Sequence, residues 1–222
     1  MFELADIEHL PAAIRHRELR AIPQSDLDAA RADEPGAGER VRRALFWTFT
    51  YHLRPELWDA LAAAEPIHPG VLRLVHEIGA DRGRLLEIGA GSGRLTVHLV
   101  GATSELVALD PSIPLLRLLR SRVPTARLAA GWAEALPIRE GWAHATVACS
   151  SIAMDDSVIG ELQRVTRGGG LMVVISPEAG RHDGWHTRQF DPDEVPLPAR
   201  DPWIDRVFGA PKPPSEVVWS VR

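Results

Sequence analysis

Along the first thirty residues, apolar side chains recur at helical spacing. Leu4, Ile7 and Leu10, then Ile14, Leu19 and Ile22, follow a period near that of a helix, with Pro11 and Pro23 as interruptions. Residues 32–38, ADEPGAG, read as a loop. Helical spacing returns over residues 39–64 through Val41, Leu45, Trp47, Phe49, Leu53, Leu57, Trp58 and Leu61, broken at Pro55. A further helix is predicted over 71–78, ending at Gly79. Beyond it the pattern changes. Short continuous apolar runs at 84–88, 106–109, 126–130, 145–149 and 171–175 alternate with helical segments at 95–100, 114–122 and 158–165. Continuous rather than alternating apolar strands, each followed by a helix, predict a parallel sheet covered on both faces. The triplet Gly168–Gly170 is expected to end the helix at 158–165. In the tail, 186–190 and 217–221 suit two last strands, with a proline-rich excursion between them.

The composition adds exclusions. The 222 residues carry a net charge of −5, which gives no electrostatic footprint for nucleic acid, and almost all the basic residues are arginines, Lys212 being the one lysine. The single Cys149 permits neither an internal disulfide framework nor a thiolate cluster, and no metal site is expected. Residues 1–19 lack the apolar core of a signal peptide, and no run approaches a membrane span. The expectation is a cytoplasmic protein without membrane or nucleic-acid partners.

Candidate chemistry begins where the first parallel strand ends. Glu87-Ile88-Gly89-Ala90-Gly91-Ser92-Gly93 lies between a strand and a helix. Glycines there allow a tight turn and let a ligand approach backbone N–H groups. A dinucleotide fingerprint places its last glycine where this chain has Arg94, which argues against a nicotinamide-dependent oxidoreductase. The second candidate is Asp110, about 20 residues beyond the glycines at the end of the second strand. A carboxylate there is placed to accept from both hydroxyls of a ribose. The competing role is a turn or helix cap with Pro111 and Ser112.

The run LLEIGAGSGRLT resembles the first motif of class I, Rossmann-like S-adenosylmethionine-dependent methyltransferases, with acid-x-G-x-G-x-G spacing. Gly131-Trp132-Ala133-Glu134-Ala135-Leu136-Pro137 resembles the family's segment after its third strand, with Trp132 where an acid is common. Residues 161–174 resemble its L-x-R-V-x-[RK]-P-G-G-x-L-x-V pattern, with glycine for proline. The similarity spans 84–176, about half of the chain.

The resemblance implies an α/β fold: a doubly wound, mostly parallel seven-stranded sheet whose last strand is antiparallel, with an N-terminal helical cap. The expected division is a cap over 1–70, a cofactor-binding core over 71–178, and strands over 179–222 that complete the same domain. It implies S-adenosylmethionine as cofactor and S-adenosylhomocysteine as product. Glu87, Gly89, Ala90, Gly91, Gly93, Asp110, Pro111 and Ser150 would line the cofactor, and Ala133 and Glu134 its adenine. Trp132 would stack on the base or belong to the core. Tyr51, on a helix that lies over the cofactor in similar enzymes, would meet its carboxylate.

The acceptor is expected to be a small molecule, methylated by in-line displacement. Ser151 and Met154, after the fourth strand, would approach the transferred methyl, and Trp47 and Trp185 would wall the pocket. Many relatives carry a histidine after that strand, where this chain has none. Candidate bases are His182, His186 and Asp155, with His52 a further possibility. The rival reading is a non-catalytic cofactor-binding module or a subunit that needs a partner.

Overall fold

The computed structural model describes residues 2–177 and 182–222. The chain divides into two compact units, Met1–Trp58 and Asp59–Arg222. The expected boundary between 178 and 179 lies outside the described residues.

The first unit is helical. A 3-10 turn at Leu4–His9 leads to α1 (Ala12–Arg20), α2 (Gln24–Arg31), α3 (Ala37–Ala44) and α4 (Phe46–Leu53). Pro11 and Pro23 stand at the N-caps of α1 and α2, so the two prolines start helices where they were expected to interrupt one. Leu10, Ile22, Leu27, Val41, Leu45 and Phe49 form its core. The helix expected over 39–64 is three pieces. Breaks fall at Leu45 and Arg54, ahead of α5 (Pro55–Ala64).

The second unit continues with α6 (Pro69–Glu77), β1 (Arg84–Ile88), α7 (Thr96–Leu99), β2 (Glu105–Asp110), α8 (Ile113–Arg122), β3 (Arg127–Ala130), β4 (Ala143–Cys149) and α9 (Asp156–Val165). It ends with β5 (Thr166–Ser176), β6 (His186–Gln189), α10 (Pro202–Phe208) and β7 (Glu216–Val221). The described strands form one sheet in the order β3-β2-β1-β4-β5-β7-β6. β1 to β5 run parallel, and β7 is antiparallel to both β5 and β6. This is the expected doubly wound sheet.

Both faces are buried because successive strand residues point to opposite sides. Leu85 joins one core cluster with Val71, Leu99, Leu119 and Ile175, whereas Leu86 joins the other with Ile88, Val158, Leu162 and Met172. That explains the continuous apolar runs. Helix starts follow their caps: the Ser112 hydroxyl accepts from Leu115 N, and the Asp155 carboxylate accepts from Ser157 and Val158 N.

One expectation is corrected. Gly168–Gly170 do not end a helix; α9 stops at Val165 and the glycines lie inside β5. A Cβ at Gly170 would come within 2.8 Å of the His144 carbonyl and 2.7 Å of Thr166. The glycine thus permits a close approach to β4, beside a register shift between Ala143 and Ala145. Among the described residues no helix is long and apolar enough to cross a membrane.

Candidate functional site

The carboxyl ends of β1, β2, β4 and β5 lie side by side, which is where open α/β sheets bind ligands. The glycine turn leaves β1 with positive φ at Gly89 (67°), Gly91 (55°) and Gly93 (101°). It is tied to β2 by Ala90 N donating to Leu109 O at 2.9 Å. Gly91 N donates to Asp110 Oδ2 at 2.9 Å, and Ser112 N to Asp110 Oδ1 at 2.7 Å. The helix cap is therefore Ser112, and the Asp110 carboxylate belongs to the glycine turn. A charged clamp holds the turn from the other side. Arg122 donates to both carboxylate oxygens of Asp59, at 2.9 and 3.0 Å, and to Ser92 O at 2.7 Å.

Glu87 sits beneath the turn at 1% exposure, accepting from the Thr96 hydroxyl at 2.7 Å. Burial and the neighbouring Asp110 charge push its carboxyl up to about 8, with Thr96 opposing. Burial likewise raises Asp110 to about 6 against the pull of its two N–H donors. The sign for stability follows. In the unfolded chain Glu87 loses its proton near 4.5, whereas the folded chain retains it up to about 8. Stability falls as pH rises between those values. Glu87→Gln is expected to raise stability at about pH 8.5 by roughly 1–3 kcal/mol and to flatten its decline from about pH 6. Urea unfolding at the two pH values checks this; a variant with an undiminished slope would place the titration elsewhere.

The segment after β3 is strapped to α9. Leu136 N donates to Glu161, and Arg164 donates to Leu136 O and Ile138 O at 2.9 and 2.8 Å. This holds Ala133 and Glu134 just past the end of β3; Glu134 is exposed, and Ala133 packs on the core beside α9. Trp132 is half-buried and bridges to Ala135. Pro111 is half-buried between Asp110 and the cap of α8.

On the acceptor side, a cavity of about 270 Å³ opens between the ends of β4 and β5, lined by Ser150, Ile152, Met154, Val174, Ser176 and His182. Ser150 has φ of +53°, unusual for a residue with a side chain, and its N–H donates to Ile175 O at 2.7 Å. The Ser150 and Ser176 hydroxyl oxygens are buried without a hydrogen-bond partner among the described residues. A second cavity of about 600 Å³ adjoins at His182 and is lined by Asp183, Trp185, Thr187, Gln189 and Glu216.

The structure thus brings Ser150, Met154, His182 and Trp185 to the two cavities and gives Ser151, Asp155 and His186, in the same unit, other partners. Ser151 donates to Ile88 O at 2.8 Å, tying the β4 loop to β1. Asp155 is occupied as the cap of α9, its carboxyl held below the usual range first by the Ser157 hydroxyl and then by the Val158 N–H. His186 stacks on Trp219 at 5.3 Å, on the opposite side of β6 from Thr187 and Gln189. In the first unit Trp47 stacks on Tyr51 at 5.7 Å, and Trp58 meets both rings edge-on. Burial lowers His52 to about 4, which makes it neutral at physiological pH.

Residues 85–170 match a family described as a methyltransferase domain. Over those residues the chain is similar to methyltransferase domains, and its sheet has the class I, Rossmann-like fold. A solved S-adenosylmethionine-dependent methyltransferase from Thermotoga maritima, described as a possible histamine N-methyltransferase, is 18% identical. That alignment covers 75% of this chain and 93% of the other at a TM-score of 0.50, which bears on fold alone. The YcgJ protein of Bacillus subtilis is 19% identical over 49% of this chain and 50% of its own, TM-score 0.45. The PH0226 protein of Pyrococcus horikoshii is 18% identical over 57% and 58%, TM-score 0.44. The chain thus spans about half the length of these last two. Among curated proteins none matches.

The cofactor of this domain class is S-adenosylmethionine, and the donor set can be tested against it. Each Asp110 oxygen accepts one backbone N–H, and a carboxylate offers about four lone-pair sites. Room remains for two ribose hydroxyls, so the residues present fit the group. Thr96, Arg122, Ser176 and Glu216 were missed from sequence. Only Ser176 carried a positional signal, as the end of the clearest strand.

Proposed function

We propose that this chain transfers a methyl group from S-adenosylmethionine to a small-molecule acceptor. The observation that carries the reading is the glycine turn held on a buried Asp110 carboxylate, with a cavity at the neighbouring ends of β4 and β5. When bound, the cofactor supplies a methyl group already activated on a sulfonium. The protein's task is then largely positioning. Asp110 accepts from the ribose hydroxyls, and the N–H groups of the glycine turn and Glu87 organise the amino-acid end. Ala133 and Glu134 flank the adenine. Ser150 and Met154 would orient the acceptor's nucleophilic group toward the methyl that S-adenosylmethionine would supply, with S-adenosylhomocysteine as the product. A proton released by the acceptor passes to His182, where the two cavities meet, or to water. The same reading places the protein in the cytoplasm, acting without nucleic acid or membrane.

The test is methyl transfer from labelled S-adenosylmethionine by the purified chain across a panel of phenols, amines, thiols and carboxylates. Labelled, cofactor-dependent product with at least one class is expected. A chain that binds cofactor but labels nothing would support the rival reading of a binding module or partner-dependent subunit.

A further inference from the structure

The end of α8 grips the glycine turn, and that grip bears on cofactor binding if the methyl-transfer reading above holds. α8 starts at the Ser112 cap behind Asp110 and ends at Arg122. Its last turn meets the glycine turn at two points. A Cβ at Gly93 would lie 2.6 Å from Leu119 Cδ1, so the backbone there packs directly against the helix. Three residues on, along the same helix face, Arg122 Nη1 donates to Ser92 O at 2.7 Å. The same Nη1 donates to Asp59 Oδ1 at 2.9 Å, and Nη2 donates to Asp59 Oδ2 at 3.0 Å. A planar guanidinium matches a carboxylate with two parallel bonds, which fixes the long side chain and aims its remaining Nη1 hydrogen at the turn. Burial pushes the Asp59 carboxyl up, but Arg122 outweighs it and the group stays ionised. The helix end itself has a separate donor, since Arg120 bonds to Pro124 O and Ala126 O.

The Ser92 carbonyl is where the turn needs a hold. It belongs to the peptide that joins Ser92 to Gly93, where φ is +101°, and Gly91 precedes it at +55°. Glycine tolerates either sign of φ, so that peptide can rotate at little steric cost. Its N–H side is restrained by Gly93 N donating to Ala90 O at 2.9 Å, and its carbonyl side by Arg122. We infer that Arg122 is a positioning residue for S-adenosylmethionine: it acts through the Ser92 carbonyl, is aimed by Asp59, and keeps the N–H groups of the turn in the arrangement that receives the cofactor. A turn that holds this arrangement only part of the time binds more weakly in proportion.

S-adenosylhomocysteine is titrated calorimetrically into the full chain and its variants. Arg122→Ala is expected to bind it about tenfold more weakly, the scale of one lost contact to a charged donor. Asp59→Asn, which leaves Arg122 present but poorly aimed, should cost about threefold, and it covers the case in which Arg122→Ala fails to fold. The double variant should bind no more weakly than Arg122→Ala, because Asp59 acts only through Arg122. Arg127→Ala removes an exposed ion pair with Glu105, at the opposite end of β2 from Asp110, and should leave affinity unchanged. Millimolar ethylguanidinium should restore binding to Arg122→Ala, whereas ethylammonium, of equal charge but without the fork, should not. A general loss of stability would not respond to that difference. An Arg122→Ala affinity within about twofold of the unmodified chain, additive losses in the double variant, or a loss on which the two cations act alike would overturn the inference. Failure of S-adenosylhomocysteine to bind the unmodified chain is a separate result and would overturn the methyl-transfer reading beneath it.

Discussion

Asp110→Ala is expected to weaken S-adenosylmethionine binding by about a hundredfold while the chain stays folded. The carboxylate is 6% exposed, fixed by Gly91 and Ser112 N–H groups, and placed to accept from two ribose hydroxyls. Hydrogen bonds to a charged group contribute about 1.5–3 kcal/mol each, so losing the pair costs about 3 kcal/mol or more. Removing the side chain also strips an acceptor from the Gly91 N–H, which loosens the turn that the cofactor touches. Asp110→Asn, which retains one acceptor oxygen, should fall between the two. Calorimetric titration measures the affinity, and circular dichroism checks the fold. An affinity within about threefold of the unmodified chain would remove Asp110 from the site.

The second large effect is on stability. An alanine Cβ at Gly89 would stand 2.2 Å from Ser151 Cβ and 2.4 Å from its hydroxyl, at a φ of +67°. Ser151 cannot easily swing away, because its hydroxyl is bonded to Ile88 O. Left-handed backbone alone costs a residue with a side chain about 1–2 kcal/mol, and overpacking in a fixed surround adds about 1–3 kcal/mol. Gly89→Ala should therefore destabilise by about 3 kcal/mol, enough to lower the melting temperature of a chain this size by several degrees. The double variant Gly89→Ala/Ser151→Gly should recover the steric part but not the backbone part. Thermal unfolding of the single and double variants measures the coupling. Strict additivity would mean that the two residues do not meet.

These two positions show what could be read directly from the chain. The turn from Glu87 to Gly93 and the acid at Asp110 announced themselves, because glycines needed for positive φ and a carboxylate at a strand end are local necessities. The strands from β1 to β5 were legible for a similar reason: burial on both faces leaves continuous apolar runs. β6 and β7 were foreseen within a residue or two at each end. The rest depended on partners distant in sequence. Gly168–Gly170 read as a helix stop, yet they sit in β5 because β4 approaches there, which no local rule reveals. α10 went unread amid prolines, although Asp201 followed by Pro202 is itself a helix-start signal.

The candidate site divides along the same line. Cofactor residues cluster in one turn and could be named. Acceptor residues come from separate strand ends and loops. His186 looked as suitable as His182 by type, but strand alternation turns it toward Trp219. Asp155 looked like a base and proves to be a cap. Glu216 opens an apolar strand, and only the register with Ser176 and Gln189 brings it to the cavity wall.

The most direct test of the central claim is calorimetric titration of the purified chain with S-adenosylmethionine and S-adenosylhomocysteine, with NAD as the control. The account predicts saturable binding of the first two and none of NAD. Binding of NAD, or of none of the three, would contradict it.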